Sequence, residues 1–395
     1  METKLYERNV KIFIYYKFFQ NMIIIGPVLV LFLLWKGLDY TQMMLLQSIS
    51  AISVIIFEVP TGVVSDKITR HLSLFLGCLF TAIGLIVYIL GKSFFVFAIA
   101  EIIFGLGLTF TSGSDTSILY ESLTALGRKK DYQSIMGKAM SAMFIGQGLG
   151  AIVSSLLYKI HPLIPFIISV SFLTVAMFFS TRFADHGRIK SEHSYLIHTL
   201  KCLRLVITKK RIFWALGFAV AMGIANRCSF WLYQPYFQAV KLDIVWYGVA
   251  FFFFNICAAF SSRVLVSLLQ DFRPRRILLL LLLAMSISFI VPAIHPHIIM
   301  IAFFAVQQFV RGLYQPTMSF YINHQVENHN RATVSSLVSM ASSLGFALFS
   351  PLMGIWLDST GAINTYFRMG WLSFTAFLIL FFLWRMHKLG KKLSG

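Results

Sequence analysis

Phe57 to His71 reads FEVPTGVVSDKITRH, and within it a long apolar run stops and gives way to a short, charged hairpin. The apolar runs on either side, 41–63 and 73–91, are each about 20 residues long, enough for a helix to cross a hydrocarbon core of ~30 Å. Backbone polar groups have no water partners in lipid, so two such runs joined by so few polar residues read as antiparallel membrane helices. Gly62, Asp66, Lys67 and Arg70 carry the chemistry of the hairpin. A glycine near a helix end lets a second backbone approach closely. The basic side chains hold the loop at the headgroups, and a carboxylate there can sit against the N-terminus of a neighbouring helix.

The rest of the chain has the same character. Of its 395 residues 58% are hydrophobic and only 12% charged, with a mean hydropathy of +0.77. Soluble domains carry about 25% charged residues. Apolar runs recur near 11–34, 41–63, 73–91, 94–119, 138–158, 163–181, 211–237, 244–268, 277–293, 298–322, 332–357 and 365–386. The first is too long for a signal peptide and lacks a small-residue cleavage site, so it reads as an uncleaved helix.

A net charge of +19 in a soluble protein would suggest nucleic acid. Here most of the 34 lysines and arginines fall at the N-terminus, in the even-numbered loops and in the C-terminal tail. Lys36, Lys92, Lys159, Lys241 and Arg368 lie on the opposite side, and Arg227, Arg263 and Arg311 fall inside helices. That asymmetry follows the positive-inside rule and predicts both termini in the cytoplasm, with membrane lipid rather than nucleic acid as the anionic partner.

The 57–71 hairpin resembles the loop between helices two and three of the major facilitator superfamily, whose pattern is G-x-x-x-D-(R/K)-x-G-R-(R/K). Gly62, Asp66, Lys67 and Arg70 match it, while Thr69 replaces its second glycine and His71 its last base. After helix eight, SLLQDFRPRR places Asp271, Arg275 and Arg276 where Asp66, Arg70 and His71 stand, with Ser267 in the position of Gly62. A degenerate second copy half a chain away is what parallel six-helix repeats predict. The segments ending helix four (SGSDTSILYESL, 112–123), ending helix seven (FWLYQPYFQ, 230–238) and within helix ten (VRGLYQPTMSFYIN, 310–323) look like a bacterial subgroup of that superfamily. Gly312 aligns with Gly105 in this repeat.

The resemblance implies an all-α membrane protein of twelve transmembrane helices in two pseudo-symmetric six-helix bundles. The divisions expected are 1–181 for the N-terminal bundle, 182–210 for a cytoplasmic linker and 211–395 for the C-terminal bundle. Within the linker Tyr195, Leu196, Leu200, Leu203, Val206 and Ile207 recur at helical spacing, which predicts an amphipathic helix on the inner leaflet. The resemblance further implies a secondary active transporter of the bacterial cytoplasmic (inner) membrane, with a small-molecule substrate, a proton or other coupling ion, and no cofactor. It also implies that Arg70 pairs with an acid near the end of helix four, Asp115, and that Asp66 meets the N-terminus of helix eleven at Asn330–Thr333.

Three ionisable residues fall deep within spans: Glu101 in helix four, Arg227 in helix seven and Arg311 in helix ten. A charge near the bilayer centre costs about 2.5–3.5 kcal/mol even on a lenient insertion scale, so such groups face a cavity or a partner. In the superfamily helices one, four, seven and ten line the central cavity, which makes these residues a candidate substrate and proton pathway. An ion pair between Glu101 and Arg311 that merely holds the halves together is the structural alternative. Asn21, Asn226, Trp231, Gln234, Gln307, Gln308 and Tyr314 would complete a polar and aromatic site, suited to an amphipathic or anionic molecule that two arginines attract.

Drug exporters of the superfamily have R-x-x-Q-G in helix four, where this chain has Glu101, Phe104 and Gly105. Their helix five carries Gly-Pro, and GKAMSAMFIGQGLGAIV (137–153) has Gln147 in place of the proline. Close packing explains its glycines directly. The reading is proton-coupled export of a small organic compound through Glu101 or a neighbouring carboxylate; uptake by symport and a non-transporting sensor or assembly partner remain open. Gly91-Lys92-Ser93 lacks the first glycine of a phosphate loop, since Ile86 stands there. Cys78, Cys202, Cys228 and Cys257 have no paired or metal-type spacing, and His295 and His297 lack further ligands. No nucleophile–base arrangement suggests an enzyme.

Overall fold

The computed structural model describes residues 2–184, 208–265, 272–327 and 330–393, and among them the chain is helical with no strand. Helix one is Glu2–Gln20, resuming as a three-ten turn Gly26–Val28 and then Leu29–Trp35. Helices two and three are Tyr40–Lys67 and Arg70–Leu90. Helix four is Phe94–Thr111 followed by Ser114–Ala125, helix five Tyr132–Ile160 and helix six Ile164–Ser180. Helix seven is Lys210–Ala239, and helix eight is Val245–Phe260 with a π-helical turn at Ser261–Leu265. Helix nine is Pro274–Ile294; helix ten starts as the three-ten segment Ile298–Phe303 and continues as Phe304–Asn323. Helices eleven and twelve share the stretch Arg331–Leu393, divided at Gly361 by its φ of 75°. Nine helices among the described residues are long and apolar enough to cross a membrane, and the last, Thr333–Met386, is long enough for two spans. With the shorter apolar helices Gly26–Trp35 and Ile164–Ser180 they make twelve helices, in two six-helix bundles.

Three details differ from the sequence reading. Helix one is broken inside the apolar run 11–34, because residues 21–25 lie outside the helix. Pro27 has no N–H to offer the preceding turn, and the Asn21 side chain caps the first half instead, donating to the Lys17 carbonyl at 2.9 Å. Helix four is also broken, at Ser112–Gly113, where Gly113 takes φ +77°. That glycine makes a turn rather than a close helix contact. Helices eleven and twelve meet at one glycine instead of a loop. The linker helix expected near 195–207 lies outside the described residues.

By contacts the chain divides into Met1–Ser191 with Asp243–Phe252, and Glu192–Leu242 with Phe253–Gly395. In the first unit, helices three and four cross at two glycines. A Cβ on Gly107 would stand 2.7 Å from Thr81 N and 2.8 Å from Gly77 O, so the two backbones touch. Gly146 and Gly150 of helix five receive Phe18, Met22 and Ile24 of helix one, and Gly148 receives Phe252. Gly137 has open space and contributes no packing. Gly62 likewise has nothing within 4 Å, so the close approach expected there does not occur. Beyond the spans, Lys36 Nζ donates to the Ile89 and Gly91 carbonyls at 2.9 Å, supplying partners for the end of helix three.

The second unit is cored by aromatic rings. Tyr233, Tyr236, Phe237, Phe254, Phe304 and Tyr366 form a chain of neighbouring rings with centroids about 5–6 Å apart, Phe304 stacking on Tyr233, Phe237 and Tyr366 and meeting Tyr236 edge to face. Trp214 Nε1 ties helix seven to helix twelve through the Leu380 carbonyl at 2.9 Å.

The repeat is visible in matched contacts. Gly105 of helix four faces Ser53 of helix two, its Cβ position 3.1 Å from Ser53 Cβ. Gly312 of helix ten faces helix eight, 2.4 Å from Ala258 O by the same measure. Counting back nine residues from Gly62 reaches Ser53, and nine from Ser267 reaches Ala258. Equivalent glycines therefore receive equivalent helices in the two bundles.

Candidate functional site

Glu101 lies seven residues into helix four, about 10 Å along its axis, and is 6% exposed. Gln47, seven residues into helix two, donates to its Oε1 at 3.1 Å, and the Tyr88 hydroxyl of helix three donates to the same oxygen. Ser50 adds a third donor. The carboxyl group is enclosed by helices two and three, and all of these partners are neutral. Equal depth along helices two and four was the sequence signal for Gln47; nothing in the sequence marked Tyr88.

At the other end of helix four the charges pair differently from the expectation. Asp115 is engaged by Lys17 of helix one, both side chains 13% exposed, and Arg70 Nε stands 3.6 Å from Glu121 Oε1. The break at Gly113 explains the exchange. It starts a new half-helix whose first turn carries Asp115, with the Thr116 N–H donating to its Oδ1 at 2.6 Å, while Glu121 is left beside helix three. Lys17 stands in the last turn of its own half-helix, so each charge also opposes the adjoining helix dipole. Asn9 completes the join, donating to Ser122 Oγ at 3.0 Å and to the Ala184 carbonyl at 2.8 Å. Lys67 ends helix two, the side chain of Asp66 lies outside the described residues, and so does Asp271. Arg275 stacks over Trp214 at 4.5 Å and Tyr321 at 5.5 Å.

In the second unit the predicted residues separate into two sets. Gln307 is buried and points at helix nine, donating to the Ser288 carbonyl at 3.3 Å. Gln234 and Trp231 are buried, the latter edge-on to Phe230. Arg311, by contrast, is exposed, as is Arg227. Arg311 donates to Gln308 Oε1 at 3.2 Å; Gln308 Nε2 donates to the Tyr233 hydroxyl at 2.8 Å. Tyr233 donates to Ser229 Oγ at 3.3 Å, and Ser229 to the Asn226 carbonyl at 2.8 Å. Arg227 donates to Ser343 Oγ at 2.8 Å and lies 5.4 Å from the Phe346 ring. Tyr314 packs on Phe218 and lies within electrostatic reach of Arg227. Ser229, Tyr233, Ser343 and Phe346 were not singled out by the sequence, since serine and phenylalanine in a membrane helix are ordinary packing residues. Among the described residues no cluster of histidine, cysteine or acid is arranged to hold a metal.

Residues 15–265 and 229–395 match the model of the Major Facilitator Superfamily. The chain belongs to that superfamily. Over 351 residues it is 22% identical to an uncharacterized MFS-type transporter, YxaM, of Bacillus subtilis, covering 84% of each chain. Among solved structures it is similar to a point mutant of the nucleoside transporter NupG, with a TM-score of 0.83 at 14% identity, covering 95% of this chain and 99% of that one. The POT family transporter PepTSo gives 0.75 at 13% identity over 97% and 98%. A bacterial homologue of the lysosomal transporter Spinster gives 0.70 at 14% over 97% and 95%. At such identities these likenesses establish the major facilitator fold. This member of the superfamily is a membrane transporter.

Proposed function

We propose that this transporter exports a small organic compound in exchange for protons, by alternating access, from a bacterial cytoplasmic membrane in which both termini face the cytoplasm. The observation that supports coupling to protons is Glu101. It is an acidic side chain buried within a span and held by neutral donors only, so it can gain or lose a proton without breaking an ion pair. Helices one and four, both broken and joined by Lys17–Asp115, supply the discontinuous elements that superfamily transporters place near their working parts. The subgroup resemblance of segments 112–123 and 230–238 supports a bacterial cytoplasmic membrane, and the nucleoside and peptide transporters of the same fold support an organic solute.

An untargeted comparison of small molecules inside and outside cells, with the gene deleted, native and overexpressed, tests the direction. A compound retained in deleted cells and enriched in the medium on overexpression is expected; one left behind in the medium by deleted cells would establish uptake. Glu101→Gln is expected to abolish movement driven by a proton gradient while preserving solute exchange in proteoliposomes. A variant that still concentrates its substrate against a gradient would place coupling elsewhere. Asp66→Asn is expected to slow turnover severely with normal membrane insertion, and unchanged transport would remove the 62–71 hairpin from the conformational switch.

A further inference from the structure

The C-terminal half holds positive charge within its spans and has no acid there to meet it. After residue 210 the acidic residues are Asp243, Asp271, Glu327 and Asp358, all near helix ends or in loops. Arg227 and Arg311 stand well inside helices seven and ten, and their hydrogen-bond partners are a serine and a glutamine. A guanidinium in that position without a carboxylate calls for an anion from outside the chain.

The contacts of Arg311 are arranged to keep its charge available. Four hydrogen bonds run in one direction, from Arg311 through Gln308, Tyr233 and Ser229 to the Asn226 carbonyl, and every link is uncharged. Gln308 is 2% exposed, so the group that orients the guanidinium is itself fixed in the bundle interior. Donors aligned in a chain polarise one another. Among the described residues the relay holds one N–H of Arg311 and leaves its remaining donors free, while the side chain stays exposed. Arg227 is steadied in the same neutral fashion by Ser343 and the Phe346 ring. Tyr314 stands one helical turn beyond Arg311 on helix ten, and the relay from Arg311 ends at the carbonyl of Asn226, the residue next to Arg227.

We infer that the substrate is an organic anion, its carboxylate, phosphate or sulfonate held by Arg227 and Arg311. Gln308 and Tyr233 are positioning residues that act through Arg311. This names the substrate class for the transport reading, and it is tested by binding alone so that the two can fail separately.

The purified transporter in lipid nanodiscs is titrated, at fixed chloride, with matched pairs that differ only in charge: benzoate and benzamide, indole-3-acetate and indole-3-acetamide, phenyl phosphate and phenol. Its unfolding temperature is the readout. The anion of at least one pair is expected to raise that temperature where its neutral partner does not. Arg227→Gln and Arg311→Gln are each expected to weaken that anion about tenfold or more, and Arg311→Lys to restore part of the loss. Gln308→Glu, which supplies the missing countercharge, is expected to remove anion preference. Equal binding of anion and neutral partner, anion preference surviving Arg227→Gln with Arg311→Gln, or no response to any anion would each overturn the inference. Anion binding without movement across proteoliposomes would instead overturn the export reading and leave the site in place.

Discussion

Gly107→Leu is expected to leave almost no correctly folded protein. The Cβ of any side chain there would stand 2.5 Å from Thr81 Oγ1, 2.7 Å from Thr81 N and 2.8 Å from Gly77 O. A hydroxyl can rotate away, but the other two atoms belong to the backbone of helix three and move only if the helix moves. Overpacking that side chains can absorb costs about 1–3 kcal/mol. Here helices three and four must separate along their crossing, which also opens the contact between Gly77 and Thr111. Against a total stability of roughly 5–15 kcal/mol, that is a large fraction. The monodisperse yield after membrane extraction and the unfolding temperature measure it. Gly137→Ala is the matched control, because nothing lies within 4 Å of that position. It is expected to be neutral or to gain up to about 1 kcal/mol, the difference in helix propensity. A Gly107→Leu protein that unfolds at the native temperature would refute the described crossing.

Lys17→Met is the second large effect. It removes one partner of a pair whose side chains are both 13% exposed and leaves the Asp115 carboxylate buried beside an apolar side chain. Breaking such a pair costs about 3–5 kcal/mol, chiefly because the remaining charge has lost its counterion. Replacing both partners removes that penalty, so Lys17→Met with Asp115→Leu is expected to recover most of the lost stability. Thermal unfolding of the two single variants and the double variant reads the coupling directly. Additive losses would show that Lys17 and Asp115 do not depend on each other. The same series separates stability from function. Transport lost in a double variant of native stability would mean that the charged join between the halves of helices one and four takes part in the cycle.

The pairing around Asp115 also shows where reading from sequence stopped. The resemblance of the 57–71 hairpin to its family pattern implied Arg70 with Asp115, and the structure gives Asp115 to Lys17 and sets Arg70 toward Glu121. A six-residue difference along helix four decided it, through a break at Gly113 that hydropathy does not register. Glycine outside a helix and glycine packed within one are the same letter. Gly107 and Gly113 are six positions apart, yet the first is a point of backbone contact and the second a turn with open space around it.

By itself the sequence determined that this chain crosses a membrane, how many times, and that its two halves repeat. Those properties are set by the length of apolar runs, the unfavourable exposure of backbone groups to lipid, and the recurrence of one charged hairpin half a chain apart. It also determined that Glu101, Arg227 and Arg311 had to be explained, since charge inside a span is costly wherever it points. The tertiary structure alone decided where each points. Glu101 turned inward to Tyr88 and Gln47, Gln307 turned to helix nine, and Arg311 was left on an uncharged relay with donors to spare. Direction around a helix axis depends on which neighbouring helix packs against that face, and the small residues that set those approaches do their work only when the bundle has closed.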